Sequence, residues 1–538
     1  MSDQRNEGNV SVVRRRGLVI RVICGGLTLA AALFVPARLD AQWFDAQFPR
    51  RGELQVGLAG HNIAVDRRFT PDGAVQPLSK MFTATLDPQI VAPLDSLDLA
   101  LIDLFPTLGL ADPEGSTLGP LKYDVLFERT RAPISISFAP TRWLAVFAVV
   151  PLVKGVSYGG EHIDTLVTNT GPRASAFDGN PDAFFAGLGA GISALESMVA
   201  ADTLPPDVQA EAQALLAEAQ AFEAGLLELN ELSYVPTQAG PNGSALAGFY
   251  ETVRSGFEGF EVTLPALALA GPIDEATAMA LTSGPEFGIE VPEGRSSGIK
   301  FGDIETGISL QPLNTFRRRS DGSRPIFSVR ARFDALWRFA TGTPPQAQHL
   351  FDVGTGDGQS DVELRGTLDL GLCSTFWLSL FAGYNIQMAG EVERLVTSRE
   401  LPIQPGAYTA LVNWDPGDVL TLAAVPRINF TRNITFSFIY LRVHRTPDLV
   451  RPLDPVPGGA AFVPADLQER TEYTARSLGF AARFSATEWS GDRRDGIPVE
   501  VELRYLNTSE AEDGFTPKNN IWEVSVRLYR LLLGRKTP

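Results

Sequence analysis

Cysteine and histidine are scarce: the 538 residues hold two of one and four of the other. Cys24 lies in the first thirty residues and Cys373 deep in the chain, so there is no disulfide framework and no cysteine-rich metal site. His61, His162, His349 and His444 are scattered, with no His-Glu-x-x-His helix and no Gly-x-Ser-x-Gly elbow. His444 is flanked by Arg442 and Arg445, and no serine is paired to it by sequence. No catalytic residue, cofactor or metal ligand is therefore expected, and the chain reads as a non-enzyme. Past residue 41 there is no apolar run of about twenty residues, which excludes a membrane protein built of helices. Positive charge is short as well, 46 Lys and Arg against 63 Asp and Glu, a surface that repels nucleic acid.

What is present begins with a secretory leader. "RRRGLVIRVICGGLTLAAALFVPARLDAQ" has a basic lead-in, an apolar run from Leu27 to Val35 and a small-residue exit at Asp40-Ala41. Residues 1–41 are read as a signal peptide, and Cys24 lacks the small residue before it that lipidation requires. Removing the leader takes away six basic and three acidic residues and leaves a net charge of −20.

The rest of the chain carries a two-residue period. In "PIFSVRARFDALWRF", Phe327, Val329, Ala331, Phe333, Ala335, Trp337 and Phe339 share one parity, while Arg330, Arg332, Asp334 and Arg338 share the other. Alternate residues of a β-strand point to opposite faces, so one face is greasy and the other ionic. The pattern returns in "DVELRGTLDLGL", "GDIETGISL", "RAPISISF", "SLGFAARF", "PVEVELRY", "ITFSFIY" and "IWEVSVRLY". Several runs reach the nine or so residues that cross a bilayer at a barrel's tilt, and their apolar faces end in aromatics such as Tyr384, Tyr440, Tyr505 and Trp522. A soluble sandwich, the competing reading, would bury that face against a second sheet.

Short turns ("APTR", "CST", "TRN") alternate with long connections at 158–298, 341–359, 389–417, 446–471 and 507–518. The expected fold is all-β: an antiparallel transmembrane β-barrel of twelve strands near 53–65, 122–138, 142–157, 299–311, 326–340, 360–372, 375–388, 418–428, 433–445, 473–485, 497–506 and 519–532. In domain terms, 42–157 supplies the first strands, 158–298 an acidic, partly helical extracellular insertion, and 299–538 the remaining strands. Within the insertion, Val208, Ala212, Leu215, Ala219, Phe222, Leu226 and Leu229 form a helical seam, and Glu211, Glu218, Glu223, Glu228 and Glu231 line the same helix. A second helix is expected over 243–257, and 93–105 fits either period.

Four features together resemble one family: Gly302-Asp303-Ile304-Glu305 opening a strand, a charged strand ending at Ala340-Thr341-Gly342, the loop "GTGDGQSD", and "DVELRGTLDL". They are similar to the outer-membrane barrels grouped as the meta-pathway phenol-degradation family, and more distantly to the fatty-acid channel barrels. The resemblance implies a porin-like or transporter-like barrel handling aromatic or hydrophobic solutes. The N-terminal plug of the fatty-acid channels has no counterpart here, because only about ten residues separate the cleavage site from the first strand. "DVGTGDGQSD" could chelate calcium through Asp352, Asp357 and backbone oxygens, but a lone acidic glycine-rich loop reads first as an external turn.

With the greasy face toward lipid, the lumen-lining candidates are Asp303, Glu305, Arg330, Arg332, Asp334, Arg338, Asp361, Glu363, Arg365, Asp369, Arg483, Glu500, Glu502, Arg504, Glu523 and Arg527. Every basic member is arginine, suited to bidentate pairing with carboxylates. The group reads either as cross-strand pairs that fill the barrel or as a charged constriction. Trp377 and Phe381 share the inward parity and could form a small pocket, although packed aromatics are the favoured reading. The expectation is a bacterial outer-membrane channel for small molecules through a narrow charged lumen, with membrane lipid and a small solute as partners. The alternative is a non-transporting scaffold whose cap binds or adheres.

Overall fold

The structure is a computed structural model that describes residues 46–163, 168–201, 204–282, 294–316, 327–347, 352, 354–373, 375–396, 408–431, 433–453, 467–486 and 498–532. Residues 1–41, expected to be a signal peptide, lie outside the described residues, as do His349 and parts of several connections.

Twelve strands form a closed ring: β1 (Glu53–Val65), β2 (Pro120–Phe138), β3 (Leu144–Ile163), β4 (Glu305–Asn314), β5 (Ser328–Arg338), β6 (Asp361–Gly371), β7 (Phe376–Gln387), β8 (Val419–Asn429), β9 (Ile434–Arg445), β10 (Tyr473–Ser485), β11 (Val499–Glu512) and β12 (Asn520–Leu531). Each pairs antiparallel with its neighbours in sequence, and β1 closes on β12 with Glu53 opposite Leu531 and Ala64 opposite Asn520. All twelve fall where the two-residue period put them. One departs in detail. The strand expected at 299–311 is two pieces, Gly294–Phe301 and β4, both paired with β3 and interrupted at Gly302-Asp303-Ile304.

The two faces of the wall differ as the parity demands. Outward-facing Phe333, Leu364, Phe436, Phe438 and Phe480 are each about half exposed, with no second sheet over them, whereas inward-facing Glu305, Asp361 and Glu500 are at most 2% exposed. Such a wall is stable only where hydrocarbon replaces water on its outside, and ring closure leaves no strand edge to satisfy there. The chain is a transmembrane β-barrel. The sandwich reading falls with the closed ring.

Above the end that carries the long connections sits a second unit, built from α1 (Pro93–Thr107), α2 (Pro181–Ala200), α3 (Pro206–Glu231), α4 (Pro241–Gly259) and α5 (Glu275–Thr282). The segment 93–105, which fitted either period, is helical. Helices α1 to α4 each start with proline, which has no N–H to leave unpaired in a first turn. On α3 the seam is buried at Ala212, Ala219, Phe222, Leu226 and Leu229, while Glu211, Glu218, Glu228 and Glu231 are exposed. Gly225 lets α1 approach α3, since a Cβ there would collide with Leu104. This core continues onto Ile63 and Val65 of β1 and Val125 and Phe127 of β2, the last residues of the wall before the mouth. The unit therefore sits on the strand ends as a cap rather than filling the barrel.

Candidate functional site

Viewed along one inward row, the register runs Glu500, Arg527, Gly57, Ser135, Val149, Glu305, Arg338, Asp361 and Gln387. Strands of alternating charge thus place each arginine beside carboxylates on its neighbours. Arg338 is held by Asp361, by Glu305 at 3.3 Å and by Glu363 at 3.5 Å. Arg131 joins the same Glu305 at 3.1 Å, and Arg365 grips Glu363 through two nitrogens at 2.7 and 2.9 Å. Across the lumen, Arg527 meets Glu500 at 2.9 Å, Arg483 meets Glu500 and Glu502, and Arg504 links Glu502 at 2.8 Å to Glu523 at 3.3 Å. Toward the short-turn end, Arg330 binds Asp369 at 2.9 Å and Arg332 binds Asp334 at 2.8 Å. All sixteen candidates face inward, fourteen of them buried and Arg330 and Arg332 partly so.

Opposite charges this close and this sheltered form a packed ionic core. Sequence parity did not single out Arg131 or His61, whose Nδ1 lies 3.9 Å from Glu523. Pro133 breaks up the pattern on β2 beside Arg131, and the small residues Gly57, Ala59 and Gly60 do so on β1 beside His61. Phe381 is buried in a cluster with Ala423, Val425 and Leu441 and is a packing residue; Trp377, two repeats of the pleat away, is half-buried.

Three further features shape the lumen and its wall. The segment just before β1 enters the lumen: the Ala46 N–H donates to Asp369 Oδ2 at 3.1 Å, and the Ala46 and Gln47 carbonyls accept from Gln311 Nε2 at 2.7 Å and Arg332 at 3.1 Å. A short segment therefore enters the lumen where the sequence offered no plug, and Ala46 and Gln47 bond there through main-chain groups. The connection between β5 and β6 is not a plain external turn either. It folds onto the interruption before β4, where Asp303 accepts from the Gly342 N–H at 2.9 Å, Thr355 Oγ1 donates to the Phe301 carbonyl, and a Cβ on Gly356 would collide with Asp303. The four motifs quoted for the resemblance thus meet as one unit, with Asp303 clasped by two glycines and Glu305, Arg338 and Asp361 paired beneath. Asp352 is bound to the Gln346 N–H and Asp357 to the Gln359 N–H, and no metal-type cluster occurs among the described residues.

The third feature is a thin place in the wall. Pro133 of β2 lies directly opposite Pro151 of β3, and neither can donate to the ladder. On one side the pairing of β1 with β2 skips Ala59 and Gly60; on the other, β3 has no regular partner between Phe301 and Glu305. Beside this break lies a cavity of about 40 Å³, lined by Gly57, Ala59, Ser135 and Ser525, by outward-facing Leu58 and Val526, and by Glu305, Arg332, Arg365 and Arg527 from the lumen.

No protein-family model matches the chain, and no curated protein does. Among solved structures it is similar to an outer-membrane channel from Pseudomonas putida F1, at 7% identity over 91% of this chain and 99% of that one, with a TM-score of 0.38. It is also similar to the CymD monoaromatic hydrocarbon channel (10% identity, 94% and 97% covered, TM-score 0.28). A Pseudomonas aeruginosa FadL homologue follows, at 9% identity, 95% and 99% covered and a TM-score of 0.26. At such identities and scores none carries a residue or a substrate over to this chain.

Proposed function

We propose that this barrel is an outer-membrane channel for small hydrophobic molecules, aromatic ones included, which pass between the lumen and the bilayer through the thin wall around Pro133 and Pro151. The observation that carries this reading is the cavity beside the break, whose lining includes Pro133 and the strand residues Leu58 and Val526 together with Glu305 and Arg527. At about 40 Å³ it holds a water molecule or two and not an aromatic ring, so the passage is shut at rest and must widen. Widening is cheap where ladder hydrogen bonds are already missing. A hydrophilic solute gains nothing from that route, and the ionic core and the Ala46 segment bar the straight one.

The same ionic core favours a second reading, a closed scaffold whose cap is the working part. Proteoliposomes separate the two. The channel reading expects uptake of a monoaromatic such as toluene well above that of a small sugar. In the double variant Pro133→Val with Pro151→Val, which restores two ladder donors, uptake should fall about tenfold, the equivalent of ~1.4 kcal/mol on the opening step. Wild-type protein that takes up neither solute supports the scaffold.

A further inference from the structure

One cross-strand pair on the lipid side of the wall breaks the rule that the lumen obeys. Arg442 of β9 lies directly opposite Arg476 of β10, both on the outward face. Like charges placed directly opposite one another destabilise a sheet. Arg476 is neutralised by Glu510 at 2.6 Å and Glu512 at 3.0 Å. Arg442 has no such relief: it is exposed, forms no ion pair with any described residue, and has Leu422 opposite it on β8. His444, one step further out, is engaged with Thr474 at 3.1 Å and does not reach back to it.

The height of the pair says what could relieve it. Immediately below, on the same outward rows, lie Tyr440, Leu478 and Phe480, exposed apolar side chains of the hydrocarbon belt; above lie His444, Thr474 and Glu512. Arg442 thus stands at the boundary between acyl chains and headgroups on the cap side. A guanidinium there costs little and its fork is matched by a phosphate. We propose that Arg442, with Arg476 beside it, docks the phosphate of an anionic lipid in the outer leaflet, whose chains lie over Tyr440 and Leu478. The docking holds whether or not the barrel transports anything.

The test uses the full chain in uncharged detergent, titrated with bisphosphorylated lipid A and with its dephosphorylated form, bound lipid being counted by native mass spectrometry. The phosphorylated lipid should bind wild type about tenfold more tightly than it binds Arg442→Gln, one charge-assisted contact's worth, and Arg442→Lys should fall between. The dephosphorylated lipid should not distinguish the variants. Equal binding of the two lipids, or no loss in Arg442→Gln, overturns the assignment. Full displacement by millimolar inorganic phosphate overturns it too, since the site would then read phosphate without lipid. Unchanged heat-modifiable gel mobility of the variants confirms that the barrel has formed; if Arg442→Gln does not fold, the wild-type and Arg442→Lys arms decide alone.

Discussion

The barrel and its cap solve the same burial problem with opposite sides. In the cap, Phe222, Leu226, Tyr250 and Phe257 are sealed inside and the glutamates of α3 face outward. In the barrel, Glu305, Arg338 and Asp361 are sealed inside and Phe333, Phe438 and Phe480 face outward. The solvent outside decides which arrangement is stable. Water rewards an apolar interior, whereas hydrocarbon lets the barrel keep polar groups inside provided that every charge finds a partner. The two regions share a boundary at Ile63, Val65, Val125 and Phe127, where the inward residues of the strands turn from ionic to apolar within a few positions.

The sharpest way to break the contrast is to remove one charge from the barrel interior. Arg338→Met leaves Glu305, Asp361 and Glu363 close together without the cation they share. Breaking one side of a buried ionic group costs about 3–5 kcal/mol. The expected outcome is a matching fall in the urea midpoint of heat-modifiable mobility, or no folded barrel at all. A smaller effect comes from the outer face: Phe438→Lys, in the middle of the lipid-facing wall, should destabilise by about 2–4 kcal/mol in bilayers. The same charge placed on the cap, Glu218→Lys, should move stability by less than about 0.5 kcal/mol, because that side chain is already in water. If both lysines cost alike, the assignment of hydrocarbon to the barrel's outside is wrong.

How far the sequence reached follows from the same contrast. A barrel strand is a single layer between lipid and lumen, so each residue's parity reports its surroundings, and strand positions and the sixteen inward charges could be read locally. Features that depend on two distant segments could not. Pro133 and Pro151 are each visible in the sequence, but only the register puts them face to face. The Ala46 segment bonds through its main chain and leaves no residue signature. In helix α2, which went unread, the buried Phe184, Leu188, Ile192 and Leu195 keep a helical spacing, but Ala183, Ala186, Ala190 and Ala200 on the exposed side supply too little polarity to mark a period. The small sheet of Gly390–Val396, Tyr408–Asp415 and Leu449–Pro452 was taken for loop. It is assembled from two connections, with Trp414 Nε1 donating to Asp448 at 3.0 Å and Arg445 pairing with the same carboxylate.

The finest test of the cap's side of the contrast is Tyr250. It is a fully buried, polar-tipped ring in the cap core, stacked on Phe222 at 5.2 Å, and its hydroxyl donates to the Pro265 carbonyl at 2.7 Å. Tyr250→Phe keeps the ring and removes one hydrogen bond, so the cap should lose only about 1 kcal/mol, read as faster protease cleavage within 181–259 while the barrel stays intact. The pH dependence is more telling. Burial pushes the Tyr250 hydroxyl well above its ordinary value of 10.0. Above that value the unfolded chain gives up the proton while the folded cap keeps it, so wild-type cap stability must fall as pH rises past 10. Phenylalanine has no proton to lose. The variant, weaker at neutral pH, should therefore close the gap with wild type in alkali, and a gap that stays constant would mean that water reaches the Tyr250 hydroxyl.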